Sequence, residues 1–267
     1  MDEPGTPDIW ASGDAYEPYV GRWSRAVGRE FLTWLAVPPD RRWLDVGCGT
    51  GALTATILEV AAPSEVVGVD PSDGFIAYAR ARVSDPCVRF EIGDARALPL
   101  PSDTFDAVVS GLALNFVPDP AAGVRDMARV ATPGGVVAAY VWDYSGGMEF
   151  MRRFWDAAVA LDPAAATLDE GPRFAHICDP DALSRLFSEA SLQEVETRAI
   201  DIPTHFRDVD DYWTPFLGGQ GPAPSYVSTL TEEQRAALRD RLRASLLAEA
   251  DGSIRMTARA WAVRGAR

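Results

Sequence analysis

The chain has no lysine: all 25 basic residues among its 267 are arginine. That absence removes a phosphate-gripping P-loop lysine and a lysine Schiff base from the chemistries available. Cysteine is scarce as well. Cys48, Cys87 and Cys178 lie far apart with no CxxC spacing, which argues against a disulfide scaffold and a zinc site and suits a reducing compartment. With only His176 and His205 to draw on, a histidine-rich metal centre is not expected, and no metal is assigned. No apolar stretch approaches the ~20 residues needed to span a bilayer, and Met1-Asp2-Glu3-Pro4 lacks the positive and apolar regions of a signal peptide. The expectation is a cytoplasmic protein. Basic clusters are missing too. The formal net charge of −14 repels phosphate backbones and anionic lipid, so neither nucleic acid nor a membrane surface is an expected partner.

What is present is ordinary for a folded chain, with 47% apolar and 24% charged residues. The length fits one large domain with elaborations. Val27, Phe31, Leu32 and Leu35 recur at helical spacing between Ser24 and Leu35. Short apolar runs then alternate with helical patterns. Strands are expected at Trp43–Val46, Val66–Val69, Val88–Ile92, Phe105–Ser110 and Val136–Val141, and helices at Gly51–Ala61, after Pro71-Ser72, and from Asp119-Pro120 to Val130. Thr132-Pro133-Gly134-Gly135 reads as a turn before the fifth strand. This alternation predicts βαβ units and a parallel sheet.

After Trp142 the rhythm changes. Residues 148–178 and 208–228 read as irregular and rich in aromatics. Between them Asp179-Pro180 opens a helix and Leu192–Ile202 gives a sixth strand; Thr231 and Gln234 have capping-box spacing, and Ile254–Val263 closes the chain as a strand. The predicted organisation is a helical lid segment at 1–37, a sheet core at 38–147, a cap insertion at 148–190, sheet again at 191–206, a second cap insertion and helix at 207–250, and a last strand at 251–267. The fold class is α/β: a Rossmann-like, seven-stranded, mostly parallel sheet with helices on both faces and a helical, aromatic cap.

The most informative stretch is Trp43-Leu44-Asp45-Val46-Gly47-Cys48-Gly49-Thr50-Gly51. An apolar run ends in an acid and breaks into alternate glycines, the layout of a strand turning sharply into a helix. In an open α/β sheet, ligands bind in the crevice beyond the carboxyl ends of the strands. Taken literally, Gly47-x-Gly49-x-x-Ala52 also satisfies the dinucleotide fingerprint. Asp70, 23 positions after Gly47, suits ribose hydroxyls in either a nicotinamide-dinucleotide or an adenosyl-cofactor enzyme. Three features separate the two. Asp45 stands where a pyrophosphate gains nothing and a cofactor carrying an ammonium and a sulfonium gains a partner. Gly93-Asp94-Ala95 follows the third strand, where a carboxylate can accept the exocyclic amine of adenine. Leu98-Pro99-Leu100-Pro101-Ser102-Asp103-Thr104-Phe105-Asp106 leads straight into the fourth strand.

Together these residues resemble the class I S-adenosylmethionine-dependent methyltransferases, in particular the small-molecule subgroup that includes quinone-biosynthesis enzymes. The resemblance covers roughly residues 16–142. Ala128-Arg129-Val130-Ala131-Thr132-Pro133-Gly134-Gly135 also looks like that family's helix and turn before strand five. It implies S-adenosyl-L-methionine as cofactor and a sheet whose last strand is antiparallel. Gly47 and Gly49 would line the methionine portion, and Asp45 would support its amine. Asp70 would hold the ribose hydroxyls, with Pro71 on the adenine edge. Asp94 would take the adenine amine beside the Ala95 backbone, and Ser110 would offer its carbonyl to the methionine amine. Tyr16, Tyr19 and Arg22 resemble residues that close over the cofactor, with Arg22 pairing its carboxylate.

Methyl transfer from a sulfonium mainly needs alignment of nucleophile, methyl and sulfur, which can supply ~7–11 kcal/mol. A base is needed only for a protonated, weakly acidic nucleophile. The candidates are His176, His205, Asn115 and Asp143; many members of the family carry a histidine near the Asn115 position, which this chain lacks. Five of the eight tryptophans (Trp10, Trp23, Trp34, Trp155, Trp213) fall outside the sheet core, which suggests an aromatic chamber for a small or medium organic acceptor, natural-product or quinone-like. Two other classes stay open: an NAD-dependent oxidoreductase, and a non-catalytic adenosyl-cofactor-binding protein.

Overall fold

The computed structural model describes residues 21–218 and 221–267; Tyr16, Tyr19 and Trp10 lie outside them. Helix α1 (Arg22–Leu35) stops at Ala36, whose left-handed backbone turns its N–H back to the Leu32 carbonyl. Strand β1 (Arg42–Val46) then feeds the glycine turn and α2 (Ala52–Ala61). Next come β2 (Glu65–Asp70), α3 (Asp73–Arg82), β3 (Val88–Ile92) and β4 (Phe105–Gly111). Helix α4 (Pro120–Val130) leads into β5 (Ala131–Trp142). The local start signals are real: the Ser72 hydroxyl accepts the Phe75 N–H ahead of α3, and the Asp119 carboxylate accepts the Ala122 N–H ahead of α4.

The remainder is a helical cap woven through the sheet's last two strands. It comprises α5 (Glu149–Leu161), α6 (Glu170–Phe174) and α7 (Pro180–Glu189), then β6 (Gln193–Phe206). Then follow α8 (Val209–Trp213), α9 (Pro222–Thr229), α10 (Glu232–Ser245) and β7 (Ile254–Ala266). The Thr231–Gln234 capping box is formed in both directions. The described residues of 148–178 and 208–228 are therefore largely helical rather than irregular.

The strands form one sheet of order β3-β2-β1-β4-β5-β7-β6. Neighbours are parallel from β3 through β5, and β7 runs antiparallel to both β5 and β6. Leu44 pairs between Val67 and Val108, and all three are fully buried; each such side chain contributes ~1.5–3 kcal/mol relative to exposure. Strand order reverses between β1 and β4, so right-handed crossovers put α2 and α3 on one face and α4 on the other. Helix α1 packs on α2, and α7 on α4.

The turn expected at Thr132–Gly135 lies inside β5. Phe105 pairs with Ala131 but Ala107 pairs with Val136, so the four residues bulge outward opposite Asp106. Gly134, at φ +77°, makes the bulge possible. The chain's last residue ties it to the sheet: Gly134 N–H donates to the Arg267 carbonyl, and Arg267 N–H to Gly135.

Candidate active site

At the switch point between β1 and β4, a cavity of about 500 Å³ opens beyond the carboxyl ends of the strands. The glycine turn forms its floor. Gly47, Gly49 and Gly51 have φ of +73°, +51° and +83°, conformations that cost a side chain strain. The turn is fixed by N–H groups of Gly47 and Cys48 donating to the Val69 carbonyl at 2.7 and 3.1 Å. A Cβ on Gly47 would sit 2.5 Å from that of Ala113.

Asp45 lies beneath this turn with 1% of its surface exposed. Its Oδ2 accepts the Thr54 hydroxyl of α2 at 2.7 Å. Its Oδ1 is buried and has no hydrogen-bond partner among the described residues. Burial, with nearby Asp70 adding to it against the Thr54 hydrogen bond, pushes the Asp45 pKa up to about 7. A buried carboxylate with one free oxygen is an acceptor that lacks its donor.

Asp70 ends β2 and is similarly buried, but both its oxygens are engaged. Oδ2 accepts the Gly49 N–H at 3.0 Å and Oδ1 the Ser72 N–H at 2.9 Å. Burial raises its pKa despite these two donors. The carboxylate therefore bridges the glycine turn to the start of α3 and borders the cavity next to Pro71. Asp94 differs: half-exposed, it is gripped by its neighbour Arg96 through Nε at 3.0 Å and Nη2 at 2.6 Å. That ion pair holds its pKa low. Cys48 is buried in the turn, and loss of solvation raises its thiol pKa well above the usual range, so it stays protonated.

Gly47, Gly49, Asp45, Asp70, Pro71, Asp94, Ala95 and Ser110 thus come from four strand ends and line one cavity. Other predicted residues fall elsewhere. Arg22 does not line it; its guanidinium lies over the rings of Trp23 and Phe206 at 4.5 and 4.6 Å and pairs with Asp211 at 3.3 Å. Its Nε and Nη2 have no partner among the described residues, while Ser24, one half-turn on, does reach the cavity. His176 is exposed, with Nδ1 3.2 Å from the Arg173 carbonyl. His205 is exposed on β6 opposite Arg255. Asp143 closes the turn after β5 by accepting the Gly146 N–H at 3.2 Å. Asn115 is buried between the lining residues Leu114 and Phe116, its Nδ2 unpartnered among the described residues. Neither histidine lines the cavity.

The cap tryptophans also lie outside the cavity. Trp155 and Trp213 are buried with Phe154, Tyr212, Phe216 and Tyr226 in a ring cluster, its tightest pair being Phe154 stacked on Phe216 at 4.4 Å. These rings fasten α5, α8 and α9 to one another. The rings that do line the cavity are Phe75, Phe116, Tyr140, Trp142 and Tyr144. Sequence reasoning missed them, along with Thr54 and Arg96. Thr54 had a usable signal, being the polar residue on the α2 face that returns over Asp45.

The chain matches the Methyltransferase domain family over residues 44–139. It is 36% identical over 121 residues to a demethylmenaquinone methyltransferase of Symbiobacterium thermophilum, a match covering 43% of this chain and 48% of that one. To a demethylmenaquinone methyltransferase of Roseiflexus castenholzii it is 31% identical over 180 residues, covering 63% of this chain and 75% of that protein. Its fold is similar to that of a candidate methyltransferase from Bacillus halodurans, with a TM-score of 0.59 at 16% identity over 90% of this chain and 97% of that one. The chain spans less than half the length of the Symbiobacterium thermophilum relative. On the sheet order, the glycine turn and these matches, the chain belongs to the class I S-adenosylmethionine-dependent methyltransferases, in their small-molecule, quinone-biosynthesis-like subgroup.

Proposed function

We propose that this protein is an S-adenosylmethionine-dependent methyltransferase that moves a methyl group, by in-line displacement, to a small or medium organic acceptor of natural-product or quinone-like type, in the cytoplasm. One observation carries the choice of cofactor: the buried, unpartnered Oδ1 of Asp45 beneath the glycine turn. A pyrophosphate there would meet like charge, whereas an ammonium would supply the missing donor and a charge-assisted hydrogen bond.

When bound, the cofactor supplies an electrophilic methyl on a positively charged sulfur. Gly47 and Gly49 let the backbone approach its methionine portion, and Asp45 and the Ser110 carbonyl hold the amine. Asp70 takes the ribose hydroxyls, keeping its two N–H donors on its remaining lone pairs. Pro71 packs on the adenine edge. Asp94 and the Ala95 backbone read the adenine amine, with Asp94 sharing its carboxylate with Arg96. Arg22, whose Nε and Nη2 have no partner among the described residues, and Tyr19, which lies outside them, are the remaining candidates to meet the cofactor carboxylate. No general base is assigned, since the lining residues at the β4 and β5 ends offer no histidine or carboxylate.

Calorimetry with S-adenosylmethionine, S-adenosylhomocysteine and NAD tests the cofactor. Binding of NAD alone overturns the reading. Asp70→Ala is expected to weaken adenosyl-cofactor binding by ~1–3 kcal/mol, the loss of a hydrogen bond to a charged group; unchanged affinity removes Asp70 from the site. Incubation with methyl-labelled cofactor and fractionated metabolite extracts tests transfer. Label appearing in no fraction leaves a cofactor-binding protein without transferase activity.

A further inference from the structure

We infer that Phe116 and Phe174 form a selectivity gate at the acceptor end of the cavity, admitting flat, uncharged aromatic acceptors and turning away phosphorylated or carboxylated ones. The inference rests on the cofactor taking the half of the cavity next to Asp45, Asp70 and Asp94. The cavity is divided by charge. Its charged lining residues, Asp45, Asp70, Asp94 and Arg96, all follow from the ends of β1, β2 and β3. Among the described lining residues contributed by β4, β5 and the loops after them, none is charged. An anionic head group entering that half would lose water and find no cation. Arg173 of α6 stacks on the outer ring at 5.1 Å and does not line the cavity.

The gate is built by bringing a cap ring to a cavity ring. Phe174, at the end of α6, meets Phe116 edge-to-face at 5.3 Å and Tyr144 at 5.6 Å, and both of these line the cavity. Phe116 lines the cavity and keeps 36% of its surface exposed. Helix α6 is only five residues long and is held by a clamp. The Asp169 carboxylate accepts Arg152 Nη1 and Nη2 at 2.6 and 2.7 Å and the Gly171 N–H at 2.8 Å. Arg152 Nη1 also donates to the Tyr144 carbonyl at 3.3 Å. One guanidinium thus ties the rim tyrosine to the helix carrying Phe174, so Arg152 is a positioning residue for both walls. Glu170 adds a second tie by accepting the Trp155 indole N–H.

The test measures binding of naphthol, of its phosphate ester and of the wider anthrol by calorimetry, with and without S-adenosylhomocysteine. Wild type is expected to bind naphthol at least about tenfold more tightly than the ester, which must shed the water around its charge. Phe174→Leu and Phe116→Ala are each expected to weaken naphthol by about threefold or more, the loss of an edge-to-face ring contact, and to narrow or reverse the preference for naphthol over anthrol. Their affinity for S-adenosylhomocysteine stays at the wild-type value. Arg152→Lys, which keeps the charge but loses the fork, is expected to copy the gate variants and leave the homocysteine affinity alone. The inference is overturned if the ester binds as well as naphthol, or if both ring variants bind naphthol and anthrol as wild type does. Failure of wild type to bind S-adenosylhomocysteine would instead strike the cofactor reading, since naphthol binding is measured in its absence too.

Discussion

Asp45→Asn isolates the buried carboxyl on which the cofactor assignment turns. Burial raises its pKa from 3.8 to about 7. For an acid raised on folding, the associated stability is fully present below the unfolded pKa and is lost as pH climbs to the folded one. Here that window runs from 3.8 to about 7. Between pH 5 and pH 7 the native state holds a proton that the unfolded chain has released, and two pH units amount to about 3 kcal/mol. The asparagine variant has no proton to lose at this position. Its side-chain oxygen still accepts the Thr54 hydroxyl, while its amide occupies the place of the unpartnered Oδ1. Glu170 titrates alike in both proteins and cancels, while Asp70 loses a like-charged neighbour in the variant. Urea denaturation without cofactor, followed at several values from pH 5 to pH 8, is therefore expected to show the variant gaining about 3 kcal/mol on wild type across the range. Parallel curves would mean that Asp45 titrates as an ordinary acid, and the claim that burial keeps its carboxyl protonated would fall.

Gly47→Ala places a side chain at φ +73° and 2.5 Å from the Ala113 Cβ; left-handed strain alone costs ~1–3 kcal/mol, so a matching drop in stability is expected by denaturation, with cofactor binding lost by calorimetry. Glu170, fully enclosed in the cap, has its pKa raised by burial from 4.5 to about 8. Wild type is expected to lose stability from pH 4.5 up to pH 8 on its account, so Glu170→Gln gains on wild type by up to about 4 kcal/mol between pH 5 and pH 8. A gain that does not vary with pH would show that the Trp155–Glu170 contact does not involve ionisation.

The β1 to β5 half of the molecule was legible because its signals are local and redundant. A buried parallel strand, a glycine that must adopt positive φ, and an acid at each strand end can be read along the chain, and the parallel topology then gathers Asp45, Asp70 and Asp94 at one edge. The cap was not legible for a physical reason. Helices such as α6 and α8 are five residues long, too short for apolar periodicity to declare itself. Their Asp169 and Asp208 caps look like loop residues until the N–H groups they accept are seen. The tryptophans suggested a chamber wall, since a large ring serves a pocket or a core equally well; Trp155 and Trp213 serve the core. Arg22 illustrates a different limit. The apolar spacing starts the helix at Ser24, two residues after it, and its partner Asp211 is 189 residues away, so nothing local announces it.

The division of charge in the cavity leads to one more measurable consequence. The transferred methyl leaves behind a neutral thioether, so S-adenosylmethionine carries a sulfonium charge that S-adenosylhomocysteine lacks, while both carry the ammonium. If Asp45 holds the ammonium, Asp45→Asn removes the same charge-assisted bond from both ligands. Each is then expected to bind roughly tenfold to a hundredfold more weakly, and the ratio of the two dissociation constants stays close to that of wild type. A carboxylate that served the sulfonium instead would penalise only S-adenosylmethionine and shift that ratio by the same factor. Titrating both ligands into wild type and variant at pH 8, where Asp45 is ionised, decides between the two placements. A shifted ratio would move Asp45 from the anchoring of the amino acid to the reacting centre.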